Sequence, residues 1–187
     1  MKYPILLKAK QVIGKNLIFR DACITDAAFI LSLRTDAKKS QHLSVVSGQL
    51  LDQEIWLDKY AARDNEVYFV IEDKTGESVG TVRLYDSLKN SFCWGSWIIK
   101  DGTPAFYAIE SALMVYSYGL DTLGFESAHF QVNKGNKSVC SFHERFGATR
   151  ITENHTEYQY IINNKSIREA MQRYKRYLYT PLIIKHN

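Results

Sequence analysis

Cysteine, proline, long apolar runs and charge of one sign are all scarce in this chain, and each shortage excludes something. The cysteines are only three, Cys23, Cys93 and Cys140, far apart and without a CxxC pair. A disulfide framework and a zinc site are therefore not expected, and the odd thiol count points to a reducing, cytoplasmic setting. Prolines are also three, Pro4, Pro104 and Pro181, and no repeat, low-complexity segment or linker is visible. The first apolar run, Ile5 to Leu7, ends at Lys8, too short for a signal-peptide core. No window approaches the roughly 18 apolar residues of a membrane span. The net charge of +4 is concentrated in Lys165 to Asn187, where six basic residues face one acid, Glu169. A basic cover over the whole surface, as a duplex-binding protein needs, is missing, so neither nucleic acid nor membrane is expected as a partner. The basic C-terminal segment reads as a solvated helix face.

What is present is material for a core. The chain has 187 residues, 45% of them hydrophobic and 13% aromatic. That length matches about one domain with a core large enough to need no covalent staple. Asn16 to Arg20 reads as a strand, and Thr25 as the N-cap of a helix with Ala27, Ile30 and Leu31 on one stripe that reaches Arg34. Leu50 to Ala62 forms a second helix with Gln53, Trp56, Leu57 and Tyr60 on one face. Val67 to Ile71 and Val79 to Tyr85 then make a hairpin around Asp73-Lys74-Thr75-Gly76. After a turn over Asp86 to Asn90, Ser91 to Ile99 is a third strand with apolar residues on both faces.

Pro104 opens the clearest helix, in which Ala105, Ala108, Ile109, Ala112, Leu113 and Tyr116 form one stripe ending at Gly119. A strand over Ala128 to Val132 and a short helix over Asn136 to Phe146 follow, the helix stopped by Gly147. Strands over Thr149 to Thr152 and Glu157 to Ile162 lead to a helix from Ser166 that carries Ile167, Ala170, Met171, Tyr174 and Leu178 inward. On the short helix, Val139, Phe142, His143 and Phe146 share a stripe. By spacing alone, a histidine there is a core residue.

This order resembles the GNAT superfamily of acetyl-CoA-dependent N-acetyltransferases over about residues 16 to 163. The likeness rests on Trp97-Ile98-Ile99 followed by a loop and Ala108-Ile109-Glu110-Ser111-Ala112-Leu113. It rests also on Asn136, His143 seven residues later, and Gly147-Ala148. It is nearest the branch of ribosomal-protein and amino-sugar N-acetyltransferases, with Arg34, the His129 strand and the Asn136 helix favouring the amino-sugar enzymes. The fold implied is a single α/β (α+β) domain over residues 1–187. It has a mixed, mostly antiparallel sheet of about seven strands, the fourth and fifth splayed, and a basic C-terminal helix over about 166–178.

The resemblance implies acetyl-CoA as co-substrate and no metal. Trp97, Ile98, Ile99, Ala105, Phe106, Tyr107, Ala108, Asn136 and Phe142 are then the cofactor-binding candidates, with pyrophosphate on the amides that open the Pro104 helix. Phe106 stands where the family usually has a glycine. A bulge at Gly95-Ser96 would free main-chain N–H groups at Trp97 to Ile99 to polarise the thioester carbonyl. His143 takes the place of the family's general acid, for which it must be charged, because imidazolium near ~6.5 protonates a thiolate near ~8.5 and neutral imidazole does not. The Ser91 to Ile99 strand carries no acid, so the base is His129 or an ordered water. Glu110 is assigned a structural role.

Arg34, Arg83 and Tyr85 are the candidates for acceptor binding, Arg34 as a bidentate phosphate ligand. The acceptor implied is a small-molecule amine, favoured as a nucleotide-linked amino sugar. The alternatives are a protein N-terminus of the ribosomal-protein kind, or a non-catalytic acyl-CoA-binding module on the same scaffold. A homodimer is compatible with these readings.

Overall fold

The computed structural model describes residues 2–42, 45–178 and 181–186. The strands are β1 (Gln11–Ile13), β2 (Leu17–Asp21), β3 (Val67–Asp73), β4 (Ser78–Leu88), β5 (Ser91–Ile99), β6 (Ser127–Asn133), β7 (Thr149–Glu153), β8 (Glu157–Asn163) and β9 (Ile183–Lys185). They form one nine-stranded sheet in the order β7-β8-β6-β5-β4-β3-β2-β1-β9. Only β5 and β6 run parallel. The helices are α1 (Ala27–Thr35), α2 (Ala37–Ser40), α3 (Leu50–Ala61), α4 (Phe106–Ser117), α5 (Lys137–Arg145) and α6 (Asn164–Arg173).

The sheet thus has nine strands where about seven were expected. The additions, β1 and β9, are three residues each and pair with one another, Gln11 opposite Lys185. Segments that short carry no readable period, and their partner lies at the other end of the chain. A second difference is at α1. A 3-10 turn over Ile24–Asp26 precedes the helix, and Thr25 is not its cap. The carboxylate of Asp26 instead accepts the Cys23 amide at 2.8 Å and two guanidinium N–H groups of Arg20 at 2.8 and 3.0 Å. The Asp26 carboxylate closes the 3-10 turn onto Cys23 and makes no side-chain bond to the first amides of α1. The turn expected at Asp86 is also shorter, because β4 continues to Leu88.

Strand β3 shows why its sequence is an unbroken apolar run. Val67, Phe69 and Ile71 enter the core shared with α4 and α6, while Tyr68 and Val70 enter a second core with Ile30, Leu57 and Tyr60 of α1 and α3. Alternate residues face opposite layers, so neither set can be polar. On α4, every residue from Glu110 to Ser117 is buried. The basic C-terminal helix α6 covers the core through Ile167 and Ala170 and keeps its charges outward, with Arg168 paired to Asp121 at 2.6 Å.

Among the described residues, Glu110 is the one carboxylate with no exposure at all. It accepts the main-chain N–H of Asn16 at 2.6 Å and of Leu17 at 3.0 Å, and the Asn16 side-chain amide at 2.8 Å. The start of β2 is thereby fastened to the middle of α4, the structural role expected for this residue. Glu110→Ala strands the buried donors and should lower stability by about 3 kcal/mol, read from the urea midpoint; Glu110→Gln, which keeps an acceptor, should lose less.

Candidate active site

The site begins as a register mismatch. Thr81 opposes Ile98 and Arg83 opposes Gly95, so Ser96 and Trp97 together face Val82. The extra residue is the bulge expected at Gly95-Ser96. Ser96 takes φ +46, in the left-handed region. That conformation is held by the Thr81 hydroxyl, which donates to the Ser96 carbonyl at 3.0 Å, and by Nη1 of Arg34, which donates to the Ser96 hydroxyl at 3.4 Å. On its other edge, β5 pairs with β6 only over Ser91 to Cys93 against Ser127 to His129. Beyond that point the two strands part, as expected for the fourth and fifth strands of the predicted set. The main-chain groups of Trp97 to Ile99 that face β6 have no ladder partner there.

The gap is a cavity of about 240 Å³. Tyr85, Trp94, Gly95, Ser96 and Trp97 wall one side, Phe130 to Asn133 the other, and Asn136, Val139 and His143 of the α5 segment close it. Arg34, His42 and Glu157 complete the lining. A second cavity of about 260 Å³ shares Arg34 and Ser96 with the first and is lined by Gln53, Trp56, Tyr68 and Arg83. Arg34 therefore stands at the wall between the two.

His143 points into the first cavity from an aromatic enclosure. Its ring lies 4.1 Å from Phe130, 5.2 Å from Trp94, 5.6 Å from Phe142 and 6.1 Å from Trp97, centre to centre. It is 4% exposed, and its Nδ1 has no hydrogen-bond partner. Burial pushes the imidazole down to about 3. Desolvation by these four rings and by Tyr160, 6.5 Å away, disfavours the charged form that an acid role needs.

His129 is not brought to the site. It lies outside both cavities, half-buried, with Nδ1 against the Ser91 hydroxyl at 2.8 Å, and burial lowers its pKa. The pleat places it on the opposite face of β6 from Phe130. Trp97 is central: its indole N–H donates to the Ser111 hydroxyl of α4 at 3.1 Å, and its ring packs on Phe142 of α5 at 5.0 Å. Ile98 is buried and Ile99 half-buried beside it. Asn136 caps α5, accepting the Val139 amide at 3.3 Å while lining the cavity.

The first turn of α4 begins one residue past Ala105, which is exposed, and no side chain caps it. Tyr107 donates its amide to the Pro104 carbonyl at 2.9 Å. The Phe106 ring is stacked on Tyr177 at 5.9 Å, so the residue that replaces a glycine keeps its bulk against the C-terminal segment. Ala105 to Ala108 present the positive end of the helix dipole to solvent. Tyr85 lines the first cavity and Arg83 the second. The Arg83 guanidinium is bound by Glu66 at 2.6 Å and lies over Tyr85 at 4.5 Å and Trp56 at 5.3 Å.

Residues not anticipated in the site include Trp94, Gln131, His42 and Glu157 in the first cavity and Gln53, Trp56 and Tyr68 in the second. Gln53 and Trp56 lay on a recognisable helix stripe, and a buried Gln there was a usable signal. Glu157 gave none, because its place follows from pairing with Asn133. Among the described residues no group of three or more His, Cys, Asp or Glu is arranged to hold a metal, and no helix is long and apolar enough to cross a membrane.

The splayed parallel pair beside a bulged strand defines an acyltransferase architecture. The family model of the GNAT acetyltransferase domain matches residues 16–149. Apo FdhC, described as a nucleotide-linked sugar GNAT, is similar at 39% identity over 90% of this chain and 98% of its own, with a TM-score of 0.81. A GCN5-related N-acetyltransferase from Brucella melitensis shares the fold at 17% identity, 94% and 88% coverage and a TM-score of 0.77. A spermidine N-acetyltransferase mutant from Vibrio cholerae does so at 18% identity, 81% and 96% coverage and a TM-score of 0.67. No curated protein matches the chain. The chain belongs to the GNAT acetyltransferases, a family of acyltransferase enzymes that generally use acetyl-CoA.

Because the His143 pKa is lower in the folded state than in the unfolded chain, acid favours unfolding. Its contribution to stability is complete above about pH 6.5 and is lost as pH falls toward about 3. Between pH 7 and pH 5 the wild type should lose about 2 kcal/mol more than His143→Phe, measured from urea midpoints at both pH values.

Proposed function

We propose that this enzyme transfers the acetyl group of acetyl-CoA to a primary amine on a nucleotide-linked amino sugar, within a catalytic unit of about residues 16–163 that α6 covers. The observation that carries the reading is the bulge-opened gap between β5 and β6, which joins a second, arginine-bearing cavity at Arg34 and Ser96. Acetyl-CoA supplies the activated thioester. Main-chain N–H groups at Trp97 to Ile99 stabilise the oxyanion, and the first-turn amides of α4 hold the pyrophosphate. Ile98, Ile99 and Phe142 form the apolar backing, with Asn136 at the rim.

The amine attacks directly. No cysteine lines either cavity among the described residues, and burial pushes the Cys93 thiol up to about 11, so Cys93 is not poised to form an acyl-enzyme. His143 serves as a neutral polar group in the cavity wall. On the acceptor side, Arg34 binds a phosphate, with Tyr85 and Arg83 flanking the sugar or base and Trp56 offering an aromatic face. The similarity to a nucleotide-linked sugar GNAT at 39% identity supports this acceptor class. A cationic peptide N-terminus calls for carboxylates in an open groove, whereas the second cavity carries Arg34 and Arg83.

Thiol release from acetyl-CoA, followed with a panel of nucleotide-linked amino sugars, peptides and polyamines, tests the reading. Turnover is expected with the nucleotide-linked amines; turnover with peptides alone, or binding without turnover across the panel, overturns it. Arg34→Ala should raise KM for the nucleotide-linked acceptor about 10- to 100-fold, the worth of one charge-assisted hydrogen bond, and weaken acetyl-CoA binding by a smaller factor.

A further inference from the structure

We infer that Glu157 is the general base of the transfer, removing a proton from the acceptor's ammonium group; the assignment rests on the amine-acetylation reading above. An alkyl or sugar amine is largely protonated at neutral pH, and an ammonium nitrogen has no lone pair with which to attack. A proton acceptor must therefore reach the gap, and β5 carries no acid that does so.

Glu157 opens β8, and antiparallel register sets it opposite Asn133 of β6. It lines the same cavity as Ser96, Trp97 and His143 and is the sole carboxylate among the described residues that do. Its neighbours in sequence and space are committed elsewhere: Glu153 pairs with Lys134 at 3.2 Å and Glu144 with Arg150 at 2.6 Å. No ion pair engages the Glu157 carboxylate among the described residues. The other ionisable groups of this cavity are Arg34, His42, Tyr85 and His143, with Lys134 and His155 flanking in the chain. Apart from His42, a rival acceptor on the same cavity that the Glu157 variants below discriminate against, none is a better acceptor. Arginine is always charged, His129 is outside the cavity, and His143 at about 3 is a weaker base than an ordinary carboxylate.

The balance is as follows. One proton passes from the ammonium to the Glu157 carboxylate, leaving a neutral amine. Its lone pair forms the C–N bond as the carbonyl π pair moves to oxygen. Collapse of the oxyanion breaks the C–S bond, and the second nitrogen proton ends on the thiolate. Glu157 then re-ionises, so each turnover yields amide, thiol and one proton to solvent.

The test compares wild type, Glu157→Gln and Glu157→Asp with acetyl-CoA and a nucleoside-diphosphate amino sugar as acceptor. At pH 7, kcat of Glu157→Gln should fall about 100-fold or more. Its deficit should narrow as pH rises toward the acceptor amine's own pKa, and Glu157→Asp should recover part of the rate. Acetyl-CoA affinity by calorimetry and the melting temperature should not move. A Glu157→Gln rate within about twofold of wild type, or a deficit constant across pH, overturns the assignment of Glu157 alone. Wild-type protein that acetylates no amine overturns the assignment and the functional reading together.

Discussion

One unmatched residue in a strand ladder shapes most of this molecule. With Ser96 and Trp97 set against Val82, β5 cannot follow a neighbour on both sides past Cys93. A bulge raises local twist and costs ladder hydrogen bonds, and the chain offsets part of that through Thr81, whose hydroxyl satisfies the Ser96 carbonyl. Trp97 benefits from the same distortion, its side chain reaching both Ser111 on α4 and Phe142 on α5. The gap is thus bordered by β5, β6 and the short helix, and its shape depends on one residue in a left-handed conformation.

Around the gap, polar groups are treated in two contrasting ways. Glu110 is fully buried and fully satisfied, a fastening between α4 and β2. His143 is almost as deeply buried, lines the cavity, and has an Nδ1 with no hydrogen-bond partner. A fold that satisfies one buried polar group three times over and leaves another open is displaying the difference between structure and site. The neutral state of His143 matters for the same reason, since a hydrogen-bonding imidazole and a proton-donating imidazolium ask for different surroundings, and five aromatic rings supply the first.

Legibility in the sequence followed chain distance. Strand β5 and helix α3 were readable almost to the residue, because pleat and helix periods are local. The bulge was readable too, as Gly95-Ser96 between tryptophans. Less accessible were contacts made by register. His129 and Phe130 are adjacent, yet His129 is the last residue of β6 still paired with β5 and meets the Ser91 hydroxyl, whereas Phe130 lies past the parting of the strands and lines the cavity. Glu157 enters the site because β8 inserts beside β6, with the later strand nearer the sheet centre than β7. Nothing within a few residues of it signals that placement.

The sequence by itself determined the alternation of elements, the apolar residues on both faces of β5, the apolar stripe of α4 and the motifs that place the chain in its family. These depend on side-chain periodicity and turn chemistry within a window of several residues. Only the tertiary structure decided the strand count, the charge state of His143, the exclusion of His129 and the entry of Glu157. Each of those is set by which distant segments share a hydrogen-bond ladder or a desolvated pocket, and a linear chain does not carry that information locally.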